Sequence, residues 1–240
     1  MYIYSMSASG TLYLIPVPIA EGAIATMPAE VYTVTGELSY YFVEDLRSAR
    51  RFLKLLHKDL VIDELHFSVI DKHSGVDMKL AKEWLKAGHK IGVLSEAGCP
   101  GIADPGAELA AMAQQMDAQV IPLTGPSSII LALMASGLTG QSFSFVGYLP
   151  LKDPARRERI KALEQLSIKE KQTQICIETP YRNDALFEEL LKHCQNNTLL
   201  CVAKNISAAD ALIKTKRIGE WKQAKISIGK VPAVFLILGA

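Results

Sequence analysis

Between Leu94 and Ser128 the chain twice passes from a short apolar strand through small residues into the start of a helix. This doubled junction limits what the chain can fold into. Ile91 to Leu94 reads as a strand running into SEAGCPGIADPG, where Asp104 suits an N-cap and Pro105 the first helical position, whose N–H has no partner anyway. Gln119 to Leu123 reads as the next strand, and Gly125-Pro126-Ser127-Ser128 opens a helix that continues to about Ser136. Each junction leaves unpaired backbone N–H donors beside small side chains, so a charged small molecule could approach the main chain closely. Neither holds GxGxxG, nor GxxxxGK followed by Ser or Thr, which argues against a dinucleotide or a nucleoside triphosphate.

The preceding residues extend the same alternation. Thr11 to Ile15 is a β-rich run stopped by Pro16-Val17-Pro18, Glu21 to Glu30 reads as a short helix, and Ser39 to Val43 as the second strand. The next helix follows Asp45 to about His57, with Leu46, Leu53 and Leu56 on one face and Arg47, Arg50, Arg51 and Lys54 exposed. A third strand covers about Glu64 to Val69, and a helix from Val76 to Ala87 ends at Gly88. Strands and helices in this order predict parallel crossover units, with ligands outside the carboxyl ends of the strands. The turn at Pro16–Pro18, Glu44-Asp45, the loop Glu96–Gly101 and the turn Thr124–Ser128 all fall at such ends.

After Leu123 the pattern changes. Strands are expected at Phe143–Gly147, Thr173–Glu178, Leu199–Lys204, Ala211–Thr215 and Ala233–Leu238, with a helix at Asn183–His193 and a basic stretch from Pro150 to Lys161. The fold class is therefore read as α/β: residues 1–123 form a parallel-sheet N-terminal domain, and residues 124–240 a C-terminal α+β domain with a mixed sheet. The net charge of +1 supplies no global field for nucleic acid, so any RNA contact must be local. Four cysteines without CxxC spacing point to reduced thiols and to no metal site. The opening MYIYSMSASG lacks a basic leader, and the apolar runs fall short of the roughly 20 residues that cross a bilayer. These features predict a soluble, cytoplasmic protein without membrane contact.

LSEAGCPGIADPG, IPLTGPSSIILALMASGL and FVGYLP together resemble the tetrapyrrole methylase superfamily, in its ribosomal small-subunit RNA 2'-O-ribose methyltransferase I-like branch. The resemblance runs from Thr11 to about Ala240. It implies a tetrapyrrole methylase-like fold and S-adenosyl-L-methionine as cofactor, held in a cleft between the two domains. It further implies an RNA substrate, namely ribosomal or other structured RNA, and a homodimer. By similarity, Glu96 stands where the family usually has Asp in its SDAG loop, and Cys99 replaces a usual threonine. Gly98, Pro100, Asp104, Pro105 and Gly106 match. The resemblance assigns cofactor contacts to Pro18, Glu96, Ala97, Gly98, Pro100, Ile102, Asp104, Gly125, Pro126, Ser127 and Ser128 in these loops. Glu178-Thr179-Pro180-Tyr181-Arg182 resembles the family's ESPHR segment and Val202-Ala203-Lys204 its VAR segment, which adds Thr179 and Ala203. The AEDTR element stands here as Val43-Glu44-Asp45-Leu46-Arg47, so Glu44, Asp45 and Arg47 are the candidate catalytic residues, with His73 a further polar candidate.

Methyl transfer from a sulfonium is an in-line displacement in which the protein aligns the acceptor oxygen and excludes water. The family's ATPIGN turn is Pro16-Val17-Pro18-Ile19-Ala20-Glu21 here, and its HEHN element is Asp71-Lys72-His73-Ser74. Both departures touch the acceptor side more than the cofactor side. Alternatives stay open at this level: a tetrapyrrole or other small-molecule acceptor, or a catalytically silent paralogue that binds the cofactor as an interaction module. Asp45 can equally be a plain helix cap, and the Arg156–Lys161 run either a solvated helix face or an RNA contact.

Overall fold

The computed structural model describes residues 10–71, 74–224 and 226–240. The chain divides after Pro126 into two compact units. In the first, β1 (Thr11–Ile15), β2 (Tyr40–Val43), β3 (His66–Val69), β4 (Lys90–Leu94) and β5 (Gln119–Pro122) form one sheet in the order β3-β2-β4-β1-β5. Every pairing in it is parallel. Helices α1 (Ala29–Thr35), α2 (Leu46–Leu56), α3 (Met78–Lys86) and α4 (Ala107–Gln115) supply the crossovers.

Period-two alternation sends side chains to opposite faces of this sheet. Tyr41, Val43 and Leu94 pack with Val31 of α1 and Phe52 and Leu53 of α2, whereas Phe42, Ile91 and Val93 pack with Leu85 of α3 and Leu109 of α4. Two apolar cores thus bury both faces, as a parallel sheet requires. The connections leaving β2 and β4 go to opposite faces although the strands are neighbours, so their loops diverge at the carboxyl edge. A crevice opens at such a switch point.

The second unit holds β6 (Phe143–Tyr148), β7 (Thr173–Ile177), β8 (Leu199–Lys204), β9 (Leu212–Arg217) and β10 (Ala233–Leu238) in the order β6-β7-β10-β8-β9. Only β6 and β7 run parallel; the other pairings are antiparallel. Helix α5 (Ser128–Ser136) lays Ile129, Ala132 and Leu133 on one face against Ile175, Cys201 and Val234. Helices α6 (Ala155–Glu170), α7 (Asn183–His193) and α8 (Ile218–Trp221) cover the other, around Ile160, Leu186, Trp221 and Phe235. Trp221 Nε1 donates to Leu200 O at 2.8 Å, which satisfies the one polar atom of that buried ring.

Several expectations need correction. The helix expected at Glu21–Glu30 is a 3-10 turn at Ala23–Thr26 followed by α1, because Gly22 at φ 74° and Pro28 bracket the turn. Asp104 does not cap the next helix. Gly101 N–H donates to Pro105 O at 3.0 Å and closes residues 101–105 into a turn, and α4 starts only after Gly106, whose φ of 129° is open to glycine. The strand expected at Ala211–Thr215 lies at Leu212–Arg217, and α8 directly follows it. Leu123–Pro126 stays with the first unit, where Leu123 is buried and Pro126 O accepts from Cys99 Sγ at 3.4 Å.

Candidate functional site

Three loops meet at the carboxyl edge of the first sheet because β4 lies between β1 and β2. After β1, Val17 pairs with Gly98 as an antiparallel bridge: Val17 N–H donates to Gly98 O at 2.9 Å, and Gly98 N–H to Val17 O at 3.1 Å. After β2, Glu44 N–H donates to Leu94 O, and its carboxylate Oε2 accepts from the Glu96 amide at 3.0 Å. Glu44 therefore fastens the loop after β4 rather than standing free. Ser95 Oγ donates to Ala97 O at 3.1 Å within that loop.

Beside these loops is a cavity of about 660 Å³, within the size range of small-molecule sites. Its walls come from the turn after β1, including Pro18, from Ser48, Arg51, Phe52 and Leu55 of α2, and from Ser95, Glu96 and Ala97. The α2 contribution was missed from sequence. Its signal is the spacing of Ser48, Phe52 and Leu55, which places a second, partly apolar stripe beside the core stripe.

The site is acidic. Burial, reinforced by the charges of Glu44 and Glu96, pushes the Asp104 carboxyl from 3.8 up to about 6. Asp45 is different: its Oδ1 accepts from Ser48 N–H at 2.7 Å and from Ser48 Oγ at 2.8 Å, and these bonds hold its carboxyl below the usual range. It caps α2, as the helix-cap alternative has it. Arg47 is exposed on the first turn of that helix. Gly98 and Pro100 are buried in the loop, Ile102 points to solvent at 52% exposure, and Gly125 and Pro126 are half-buried. His73 lies outside the described residues, as does Lys72.

In the second unit Ser127 stands at the N-cap of α5 without a side-chain cap bond, and the helix begins at Ser128. The amides of its first turn are donors without intrahelical partners. Glu178, at the end of β7, is buried and bound by four donors. Arg156 Nη2 reaches its Oε2 at 2.8 Å; Arg182 Nε and Nη2 and the Thr179 amide reach Oε1 at 3.0, 2.7 and 2.8 Å. Arg156 thus leaves the solvated basic face expected of residues 156–161, whereas Arg157, Arg159 and Lys161 remain on it. Thr179 is half-buried at the head of the 3-10 turn Pro180–Arg182. Ala203 is fully buried, its strand paired to β10 on one side and β9 on the other. Among the described residues no cluster of His, Cys, Asp and Glu is arranged to hold a metal ion. Nor, among them, is any helix long and apolar enough to cross a membrane.

Comparison with known proteins adds family evidence. The family described as Tetrapyrrole (Corrin/Porphyrin) Methylases matches residues 41–222. Proteins named ribosomal RNA small subunit methyltransferase I are similar: that of Synechocystis is 31% identical over 82% of this chain, and that of Vibrio cholerae 32% over 75%. That of Micromonospora olivasterospora is 31% identical over 89% of the chain. The matched parts span 67, 59 and 65% of these relatives' own lengths. The uroporphyrin-III-C-methyltransferase structure from Thermus thermophilus superposes with a TM-score of 0.55 at 15% identity. The superposition covers 95% of this chain and 92% of that one, so the two share the fold.

Proposed function

The chain belongs to the tetrapyrrole (corrin/porphyrin) methylase family, and from that premise we propose that it is an S-adenosylmethionine-dependent methyltransferase acting on a ribose 2'-hydroxyl of ribosomal or other structured RNA. The observation that carries the reading is the acidic carboxyl edge of the first sheet, where Glu44, Glu96 and Asp104 lie within electrostatic reach of one another beside a ligand-sized cavity. A carboxyl lifted to about 6 by burial first, and then by two like charges with no cation among the described residues to offset them, marks a place short of positive charge. The ammonium and sulfonium of the cofactor fit that deficit.

When bound, the cofactor supplies an electrophilic methyl group. The protein's part is to hold, orient and exclude water. Glu96, Ala97, Gly98 and Pro18 would form the wall nearest the cationic groups, with Pro100, Ile102, Asp104, Gly125 and Pro126 as the proposed contacts in the adjoining turns. Ser127 and Ser128 offer first-turn amides suited to a carboxylate. The family resemblance adds Thr179 and Ala203. Glu44 and Arg47 are proposed to face the acceptor, Asp45 serving them by fixing the start of α2. The same resemblance supports a cytoplasmic homodimer, and the relatives named above support RNA rather than a tetrapyrrole as acceptor.

Two measurements test this. Calorimetric titration with S-adenosylhomocysteine should show binding, and tritiated methyl should pass to small-subunit ribosomal RNA but not to uroporphyrinogen. Absence of both would remove the proposal. Because Glu44 Oε2 accepts the Glu96 amide, Glu44→Ala should weaken S-adenosylhomocysteine binding up to about tenfold. Glu44→Gln, which keeps an acceptor oxygen, should retain most of that affinity while turnover falls.

A further inference from the structure

Helix α2 carries Arg47, Arg50, Arg51 and Lys54 at three- and four-residue spacings, and Lys58 continues the line past its end. All five are exposed, and residues 46–58 contain no Asp or Glu. Arg50 lies 5.6 Å from the Phe67 ring centroid, Lys54 Nζ donates to Lys58 O at 2.9 Å, and the Arg47 amide and charge both help to lower the Asp45 carboxyl. None of the five makes an ion pair with a carboxylate among the described residues.

A solvated helix face ordinarily mixes signs, because like charges four apart repel. Here 47/51, 50/54 and 54/58 are all like pairs, and the chain carries a net charge of only +1. Arg51 also lines the cavity, so the stripe meets the cavity at that residue. Building on the methyltransfer reading above, we propose that this stripe is a docking surface for the phosphodiester backbone of the RNA, holding a strand against α2 as it passes the cavity. From Arg47 to Lys54 the stripe extends about 10 Å, enough to meet successive phosphates. Arginine predominates, and its planar fork can bind a phosphate through two donors. The helix's apolar residues Ala49, Phe52 and Leu53 are already packed in the core. Leu55 is the one strongly exposed apolar residue of the helix and lines the cavity, and a single leucine makes no apolar face to enter a lipid surface, so RNA is the partner.

The test uses the full chain and the triple variant Arg50→Gln, Lys54→Gln, Lys58→Gln, which spares Arg47 and Arg51. A fluorescein-labelled single-stranded RNA of mixed sequence is the probe. Each lost phosphate contact should lower the slope of log affinity against log salt by about 0.7, so the triple should lower it by about 2. At 0.1 M salt, relative to 1 M, that is about a hundredfold weaker binding. S-adenosylhomocysteine binding should be unchanged. A control variant, Arg157→Gln, Arg159→Gln, Lys161→Gln, removes the same charge from the exposed face of α6 and should cost less than threefold. Unchanged RNA affinity in the α2 triple, an equal loss in the α6 control, a loss seen on phosphatidylglycerol vesicles instead of RNA, or a parent chain that binds no RNA would each overturn the proposal. If the α2 triple loses RNA but the parent fails to bind S-adenosylhomocysteine, the docking surface stands and the methyltransfer reading falls.

Discussion

Replacing Glu178 should destabilise the second unit far more than its exposed neighbours would. Its side chain is 1% exposed and that of its partner Arg156 is 7%, whereas Arg182 is 40% exposed. Glu178→Met deletes four acceptor contacts. Arg182 can then turn into water, at small cost. Arg156 cannot, and its Nε already lacks a hydrogen-bond partner. Stranding that charge should cost about 3–5 kcal/mol. Urea titration reads the cost through Trp221, which is buried in the same core, in a background where Trp84→Phe removes the chain's other tryptophan. Arg156→Met with Glu178→Met removes both charges and should recover more than half of the loss, because an apolar pair of similar volume needs no compensation. A single variant costing under about 1 kcal/mol, or a double variant no more stable than the single, would refute the account.

The same carboxylate sets a pH window. Burial alone would raise the Glu178 value, but hydrogen bonds from Arg182 and Thr179 and the charges of Arg182 and Arg156 bring it below the ordinary 4.5. Its contribution is complete above 4.5 and disappears as pH falls through the lower folded value. The gap between parent and Glu178→Met should therefore narrow below that pH.

Asp104 has the opposite sign: its folded value is raised, so ionisation penalises the fold from 3.8 upward, fully above about 6. The lift is worth at most about 3 kcal/mol, and solvent access to the half-buried carboxyl brings the expected gain for Asp104→Asn to about 1 kcal/mol at pH 8. Denaturation at pH 8 and 3.5 checks this, since the gain should vanish at the lower pH. Gly125→Ala would place Cβ 2.2 Å from Cβ and Cγ of the Pro16 ring, which cannot flex away. The turn must shift, so the variant should lose about 1–3 kcal/mol of stability and weaken S-adenosylhomocysteine binding. Parental affinity would show that this turn is not part of the site.

What the sequence determined by itself is local. The alternation of strands and helices, the four parallel crossovers of the first unit, the Asp45 cap and the start of α5 at Ser127-Ser128 follow from periodicity and end chemistry within a few residues. Family membership is equally legible, because its motifs are contiguous. The misreadings were also local: Asp104-Pro105 has helix-start chemistry, but the 101–105 turn and the φ of Gly106 delay α4. Only the tertiary structure decided which distant groups meet. Glu44 and Glu96 are 52 residues apart and bond because β2 and β4 adjoin in the sheet; Arg156 and Glu178 are 22 apart and pair inside a core. Charge, burial and proton affinity depend on such distances, and no window of sequence contains them.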